Sequence, residues 1–219
     1  MRTPERQSDT TPSPDEGSIA DGRPIVCIFG SYSPKPGEPL YEQAYAIGHA
    51  LARAGFVVAN GGYDGIMEAS AKGAKDAGGS TVGVTCDIFS DYRGRPLKAN
   101  RYIDREISHK TVLARIEQMV EMSAGYVILE GGTGTLSEFG IVWEYVAKKL
   151  IRPRPIFIVG DFWKPTVERV TTARPSHGKH VHCVNTPDEI IAIAQAAIPI
   201  PRTGKRTAGS EGATECSEG

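Results

Sequence analysis

The chain has almost no net charge and no long apolar run. Its 25 basic and 26 acidic side chains leave a formal charge of −1, so no global excess attracts nucleic acid or an acidic membrane surface. No apolar stretch approaches the roughly 18 residues that span a bilayer, and the N-terminus lacks the charged-then-apolar order of a secretory signal. We expect a cytoplasmic protein with neither membrane nor nucleic-acid partners.

The chain also has few cysteines, and none of them form a C-x-x-C pair. Closely spaced pairs mark many redox and zinc sites, so the sequence predicts neither. Three of the four cysteines lie in or beside apolar runs, which indicates reduced and mostly buried thiols. His177, His180 and His182 precede Cys183, but no carboxylate follows at ligand spacing, so no metal site is predicted. The four cysteines are Cys27, Cys86, Cys183 and Cys216.

Two common nucleotide-binding fingerprints are missing as well. No stretch matches G-x-G-x-x-G followed by a ribose-binding acid, and none matches the P-loop pattern G-x-x-x-x-G-K-[ST]. The first fingerprint holds a dinucleotide pyrophosphate and the second holds the phosphates of ATP or GTP. Ordinary NAD binding and ATP hydrolysis are therefore disfavoured.

Both ends of the chain are rich in small, polar and charged residues and contain almost nothing to bury. Ordering such segments loses conformational entropy that no packing offsets. We therefore predict disordered tails over residues 1–23 and 199–219. The remaining residues, 24–198, are enough for one globular domain with one substantial core.

Apolar runs and helical patterns alternate through this domain. The continuous run Ile25–Phe29 is typical of a strand buried on both faces of a parallel sheet. Further strands are predicted at residues 56–59, 81–84, 126–129, 155–160 and 180–184, and helices at 41–54, 66–77, 107–122, 135–149, 164–171 and from about 186. In the helix 107–122 the predicted inward residues are Val112, Leu113, Ile116, Met119 and Val120.

Short connections between alternating strands and helices force parallel pairing, right-handed crossovers and helices on both faces of one sheet. The predicted fold class is therefore α/β, with a doubly wound, mainly parallel sheet in a three-layer arrangement. In such sheets ligands bind beyond the carboxyl ends of the strands.

Two strand-to-helix turns are rich in glycine, and a Gly-Ser pair follows the first strand. Glycine lets the backbone approach a ligand closely, and the free N–H groups at a helix start attract anions. All three turns lie at one edge if the strands are parallel, so we predict a phosphate site there. The candidate nucleotide-binding or phosphate-binding residues are Gly30, Ser31, Gly61, Gly62, Gly65, Met67, Gly131, Gly132, Thr133, Gly134 and Thr135.

Thr135 and Glu138 also have the T-x-x-E spacing of a capping box, in which the glutamate merely caps the helix start. The residues by themselves leave capping and function as open alternatives. Residues 86–102 are polar, contain Pro and Gly and have no clean period. We expect them to form a mobile loop over the site, with a basic run that is solvated.

The motif G-G-x-x-G-I-M at residues 61–67, the helix bearing Arg115, and G-G-T-G-T-x-x-E at residues 131–138 together resemble the Lonely Guy (LOG) family. Its members are nucleoside 5′-monophosphate phosphoribohydrolases, often labelled lysine decarboxylases. The resemblance covers residues 24–194. It implies a Rossmann-like fold, a homodimer, and release of base from nucleotide without a metal or organic cofactor. Arg115 and Glu138 take the places of the family's catalytic arginine and glutamate.

The chemistry explains why such a family needs these two residue types. Cleavage of a ribose C–N bond builds positive charge on the sugar while the base leaves with the electron pair. A fixed carboxylate and a nearby cation each stabilise that transition state. Glu138 and Arg115 can divide these tasks, or Glu138 can hold the ribose hydroxyls or orient the attacking water.

Three positions depart from the family pattern. Glu130 stands where the family has proline, Ala124 where many members have aspartate, and Ile116 where cytokinin-activating members carry lysine. The expected ligand is a nucleoside monophosphate or another phosphorylated small molecule. The superfamily also includes non-catalytic nucleotide sensors and molybdenum cofactor carriers, so a binding protein is the alternative.

The predicted helix 135–149 is apolar around more of its circumference than one sheet face requires. Excess apolar surface usually meets a partner, and the resemblance also implies a dimer. We predict a two-fold interface formed by the helices that bear Arg115 and Trp143. Packing of Trp143 inside its own subunit is the alternative.

Overall fold

The computed structural model describes residues 22–91 and 93–200, which form one parallel sheet with helices on both faces. The strands are β1 Ile25–Phe29, β2 Val57–Asn60, β3 Thr81–Cys86, β4 Arg105–His109, β5 Gly125–Ile128, β6 Ile156–Val159 and β7 Val181–Val184. The α-helices are α1 Pro39–Arg53, α2 Ile66–Asp76, α3 Val112–Met122, α4 Thr133–Ala147, α5 Lys164–Ala173 and α6 Pro187–Ala197, and a 3-10 helix covers Pro175–His180.

The sheet has the strand order β4-β3-β2-β1-β5-β6-β7, and every neighbouring pair of strands is parallel. The chain winds outward from β1 to β4, then returns through α3 to place β5 on the other side of β1. The carboxyl ends of β1 and β5 therefore mark the point where the winding reverses, which is where such sheets leave a crevice. The predicted three-layer α/β fold is confirmed.

Each face of the sheet carries its own core. On one face, residues of β1 such as Cys27 pack with Ile116 of α3 and Phe139 of α4. On the other face, Ile28 packs with Leu51 of α1 and with buried residues of α2 and α6. All five residues of β1 are buried, because alternate side chains of a central strand enter opposite cores.

One predicted helix was too long at its start. Residues 107–109 belong to β4, which pairs with β3 from Val82↔Arg105 to Cys86↔His109. Helix α3 begins at Val112, after Thr111 accepts the backbone N–H of Ala114. The edge strand is half-exposed and polar, so its hydrogen bonding to β3 is a tertiary contact that no apolar period reveals.

Two side chains of the helices also differ from their predicted positions. Leu113 was predicted to point inward, but it is 71% exposed at the second residue of α3, whereas Ile116, Met119 and Val120 are buried as predicted. Trp143 is 6% exposed; it stacks on Phe139 at 5.0 Å and its indole N–H donates to the carbonyl of His177 at 2.8 Å. Trp143 therefore packs inside its own subunit, which was the alternative for this residue, and the dimer stays a prediction.

The predicted tails and Cys216 lie almost wholly outside the described residues. Among the described residues, Cys27 and Cys86 are buried free thiols, whereas Cys183 is an exposed free thiol. None of the described helices has the length and apolar character needed to cross a bilayer.

Candidate functional site

A cavity of about 500 Å³ opens at the carboxyl edge of the sheet, beside the ends of β1, β2 and β5. This volume lies within the range of small-molecule sites. Its walls come from the turns after three strands, the starts of α3 and α4, and the segment after β3. The lining residues are Ile28, Phe29, Gly30, Ser31, Tyr32, Ser33, Gly61, Tyr63, Asp64, Met67, Phe89, Leu97, Arg115, Gly132, Thr133, Gly134, Thr135 and Glu138.

Arg115 reaches the cavity from the first turns of α3. Its side chain is nearly buried, with the residue 6% exposed. The Nε–H donates to the carbonyl of Val84 at 2.7 Å, and Nη1 donates to Oε1 of Glu138 at 3.2 Å. A buried guanidinium held by two acceptors is costly to desolvate, and it keeps further N–H groups for a ligand.

Glu138 reaches the same point from α4 and is 8% exposed. Burial raises the pKa of its carboxyl to about 7, whereas the charge and hydrogen bond of Arg115 act in the opposite direction. A carboxyl with a raised pKa in a cavity is a candidate catalytic group. The pair Arg115–Glu138 therefore combines a cation with a carboxylate that titrates near neutral pH.

The capping interpretation of Glu138 is wrong. Helix α4 begins at Thr133, and its N-cap residue Gly132 makes no side-chain cap, so Glu138 lies beyond the first turn and binds Arg115 instead. A full capping box does occur in this chain, where Thr186 and Glu189 close the start of α6.

The start of α4 faces the cavity with its backbone exposed. The first helical hydrogen bond joins the N–H of Leu136 to the carbonyl of Gly132, so the amides of the three preceding residues have no helical partner. A Cβ placed on Gly132 or Gly134 would meet nothing within 4 Å. The positive end of the helix dipole and open space therefore coincide here, as an anion site requires.

The turn after β2 is packed differently. A Cβ at Gly61 would overlap the guanidinium of Arg115, so this glycine makes room for the catalytic candidate. Gly65 has φ +68° and its missing Cβ would collide with the backbone of Ser31 and Tyr32. The absence of a side chain here lets two turns lie in contact.

The sequence-predicted binding residues divide into two groups. Eight of them line the cavity: Gly30, Ser31, Gly61, Met67, Gly132, Thr133, Gly134 and Thr135. Three do not, namely Gly62, Gly65 and Gly131. Gly62 donates to Oδ1 of Asn60, and Gly131 leaves space for the side chain of Thr135. These three glycines shape the turns that place the lining residues.

Sequence reasoning missed several cavity residues. Tyr63 and Asp64 lie inside the quoted glycine-rich turn, but no pattern marked their side chains. Phe89 and Leu97 are among the few apolar residues of the polar stretch 86–102, and that contrast was the available signal. Within this stretch, residues 89–91 and 93–97 belong to a small hairpin, in which the N–H of Leu97 donates to the carbonyl of Phe89.

Two of the residues that depart from the family pattern, Glu130 and Ala124, do not line the cavity. The side chain of Glu130 is exposed and does not line the cavity, while its carbonyl accepts the N–H of Ser31 at 3.0 Å. Ala124 packs against the core next to α1 and α6. Among the described residues, no three metal-ligating side chains lie together.

The sequence of this chain is similar to one protein family and to several curated proteins. The family model described as the SLOG cluster4 family matches residues 23–191. An uncharacterized protein of Archaeoglobus fulgidus is 34% identical over 129 residues, which cover 56% of this chain and 77% of that protein. A Mycobacterium tuberculosis protein named cytokinin riboside 5′-monophosphate phosphoribohydrolase is 34% identical over 119 residues, covering 54% of this chain and 61% of that protein.

Among solved structures, a molybdenum cofactor carrier protein from Chlamydomonas reinhardtii is similar with a TM-score of 0.63 and 24% sequence identity. The alignment covers 80% of this chain and 98% of that chain. At this level of identity the similarity concerns the fold alone.

Proposed function

This chain belongs to the SLOG cluster4 family, and we propose that it hydrolyses the N-glycosidic bond of a nucleoside 5′-monophosphate whose base is a purine. The observation that carries the proposal is the buried pair of Arg115 and Glu138, joined at 3.2 Å, beside the uncapped start of α4. The resemblance to the LOG family and the names of low-identity relatives support the same reaction.

The phosphate is proposed to bind at the start of α4. The amides of Thr133, Gly134 and Thr135 precede the first helical hydrogen bond, and no acceptor among the described residues bonds to them. Hydroxyl groups of both threonines add donors at the same place. A dianionic phosphate would gain from these donors and from the helix dipole.

With the phosphate there, the ribose is proposed to lie near Glu138 and Arg115. In the reaction the bond between C1′ and the base nitrogen breaks, and its electron pair leaves with the base. Water adds to C1′, giving ribose 5-phosphate, and the base gains a proton. The Glu138 carboxylate would stabilise the positive charge that develops on the sugar.

Arg115 would act on the departing side. Two of its N–H groups bind Val84 and Glu138, and the remaining ones can donate to the base as it gains electrons. Arg115 also keeps Glu138 more acidic than burial alone would, since its charge lowers the pKa of that carboxyl. The ionised form of Glu138 is the one that stabilises a cationic sugar.

The test is chromatography of reactions with AMP, GMP, IMP and isopentenyl-AMP, compared with the Glu138→Gln variant. Free base and ribose 5-phosphate should form in equal amounts with the wild-type protein. If no nucleotide gives base above the variant, the hydrolase is rejected. Native mass spectrometry then separates the alternatives, because a nucleotide sensor or a cofactor carrier would retain a phosphorylated ligand without converting it.

A further inference from the structure

Two aromatic rings contact the guanidinium of Arg115 and are not used in the proposed chemistry. Cζ of Arg115 lies 5.7 Å from the ring centroid of Tyr63 and 5.8 Å from that of Phe89. The two rings meet edge to face, with centroids 5.7 Å apart and planes at 81°. We call these two residues the aromatic cradle. Both distances are within the range of a cation–π interaction.

Both rings are held in place by the backbone of other segments. The hydroxyl of Tyr63 accepts the N–H of Cys86 at 2.8 Å and donates to the carbonyl of the same residue at 3.2 Å. The side chain of Asn100 donates to the carbonyl of Tyr63 at 2.8 Å. The ring of Tyr63 is therefore anchored at its tip and at its backbone.

Phe89 is presented by a small hairpin whose described residues are 89–91 and 93–97. The carboxylate of Asp91 accepts the backbone N–H groups of Arg93 and Arg95 and also the Nε–H of Arg95, at 2.8 to 3.0 Å. The N–H of Leu97 donates to the carbonyl of Phe89 at 2.9 Å. The hairpin is thus closed by its own hydrogen bonds and holds the ring against Tyr63.

We propose that the aromatic cradle is a positioning device for Arg115, in which the ring of Phe89 fixes the guanidinium in register with Glu138. The clearance at Gly61 lets the guanidinium enter, but a clearance does not orient it. The contacts with Val84 and Glu138 use two of its five N–H groups, and the rings restrain the rest of the planar group. An arginine has four side-chain torsions, so such restraint lowers the entropy lost in the transition state.

The pKa of Glu138 depends on where the guanidinium of Arg115 lies. Two titratable groups from other elements face it: Arg115 of α3 and the thiol of Cys27 in β1. Burial and Glu138 raise the pKa of Cys27 far above its usual range, so the thiol stays neutral and Arg115 is the charge that acts on Glu138. A guanidinium that loses its register would lower the pKa of Glu138 less.

The test is a titration of the Glu138 carboxyl by carbon NMR, with the signal assigned by its loss in Glu138→Gln. Phe89→Leu should move the midpoint upward by about half a pH unit, the size expected from a weakened charge contact. Phe89→Tyr keeps the ring and should restore the wild-type midpoint. The matched control is Leu97→Ala, on the same hairpin and the same cavity wall, which should leave the midpoint unchanged.

An unmoved midpoint in Phe89→Leu, or an equal movement in Leu97→Ala, overturns the proposal. The kinetic part rests on the proposed function: Phe89→Leu should lower kcat about 10-fold and change KM less than about 3-fold. A raised KM with unchanged kcat and an unmoved titration would instead mean that Phe89 contacts the ligand directly. If the wild-type protein hydrolyses nothing, the proposed function fails, while the titration still decides the cradle.

Discussion

The two glycine-rich turns of this chain have similar compositions but differ in what their backbone groups contact. In residues 61–65, the closed turn, Gly62 donates to Oδ1 of Asn60 and accepts from the N–H of Asn100. The N–H of Ile66, which starts the following helix, donates to the carbonyl of Ser31. The closed turn therefore uses these polar groups within the protein.

In residues 131–135, the open turn, the helix begins with no side-chain cap, and Gly132 and Gly134 border empty space. Glycine content alone therefore does not identify a ligand-binding turn. What distinguishes the two turns is that the first N–H of α2, from Ile66, already has an acceptor, whereas the N–H groups of Thr133, Gly134 and Thr135 have none among the described residues. The closed turn makes room for Arg115 and the open turn leaves room for a ligand.

The largest effect should come from Glu138, in the helix that follows the open turn. Glu138→Gln should lower the rate of nucleotide hydrolysis on the order of 100-fold or more, because a charge that stabilises the transition state is lost. Nucleotide binding should change much less, since the phosphate is held elsewhere. Steady-state kinetics and calorimetric titration measure the two effects.

The exposed residue Glu144 of the same helix offers a matched control. Glu144→Gln removes an equal charge from α4 and should leave the rate unchanged. An equal loss of rate in both variants would show that the net charge of the helix matters rather than the position of Glu138.

The second effect should come from filling the open turn. Gly132→Asp places a carboxylate where the phosphate is proposed to bind, and the N-cap geometry with φ −89° accepts this residue. Nucleotide affinity should fall at least about 100-fold through charge repulsion and lost space. Folding should be unchanged or improved by a few tenths of a kcal/mol.

Ser176→Asp is the control for added charge, at an exposed residue of the 3-10 helix that does not line the cavity. It should bind nucleotide as the wild type does. Normal binding by Gly132→Asp would refute the placement of the phosphate at the open turn.

The third effect concerns stability and should separate the turns directly. Gly65→Ala in the closed turn should destabilise the fold by about 1–3 kcal/mol or more, because φ is +68° and the new methyl group meets backbone. Gly134→Ala in the open turn should be neutral or stabilising by up to about 1 kcal/mol. Urea denaturation followed by circular dichroism measures both, and equal losses would contradict the contrast.

The smallest effect should be a dependence of stability on pH. Burial raises the folded-state pKa of Glu138 from 4.5 to about 7, so the folded protein holds the proton more tightly than the unfolded chain does. The resulting stabilisation is present below the unfolded-state value and is lost as the pH rises to about 7. The Tm of Glu138→Gln relative to the wild type should therefore increase between about pH 5 and about pH 8.

A Tm difference for Glu138→Gln that stays flat between about pH 5 and about pH 8 would mean that burial does not raise the pKa of Glu138.

The order of strands and helices could be predicted from the sequence because buried strands and amphipathic helices have local hydrophobic patterns. Ile25–Phe29 is uniformly apolar and is uniformly buried. The strand Arg105–His109 was not readable, because its residues alternate weakly and its structure depends on pairing with β3. Leu113 was also misplaced, because the apolar period alone does not show how far the sheet covers the first turn of α3.

The candidate site was readable in part. Arg115 and Glu138 were found through a resemblance whose motifs give positions but no contacts. Their juxtaposition at 3.2 Å joins residues of two helices separated by 23 positions in the chain. Tyr63 and Phe89 carried no motif, because an aromatic residue in a loop gives no sign of the cation that it contacts.

The sequence by itself determined the alternation of strands and helices, the glycine-rich turns and the absence of the common nucleotide fingerprints, since these depend on residues close along the chain. Only the tertiary structure decided which turn is open, that Glu138 is buried against Arg115, and that Trp143 faces inward. The physical reason is that acceptors, charges and contact surfaces come from distant segments. The pKa of a carboxyl and the freedom of a helix start depend on those segments.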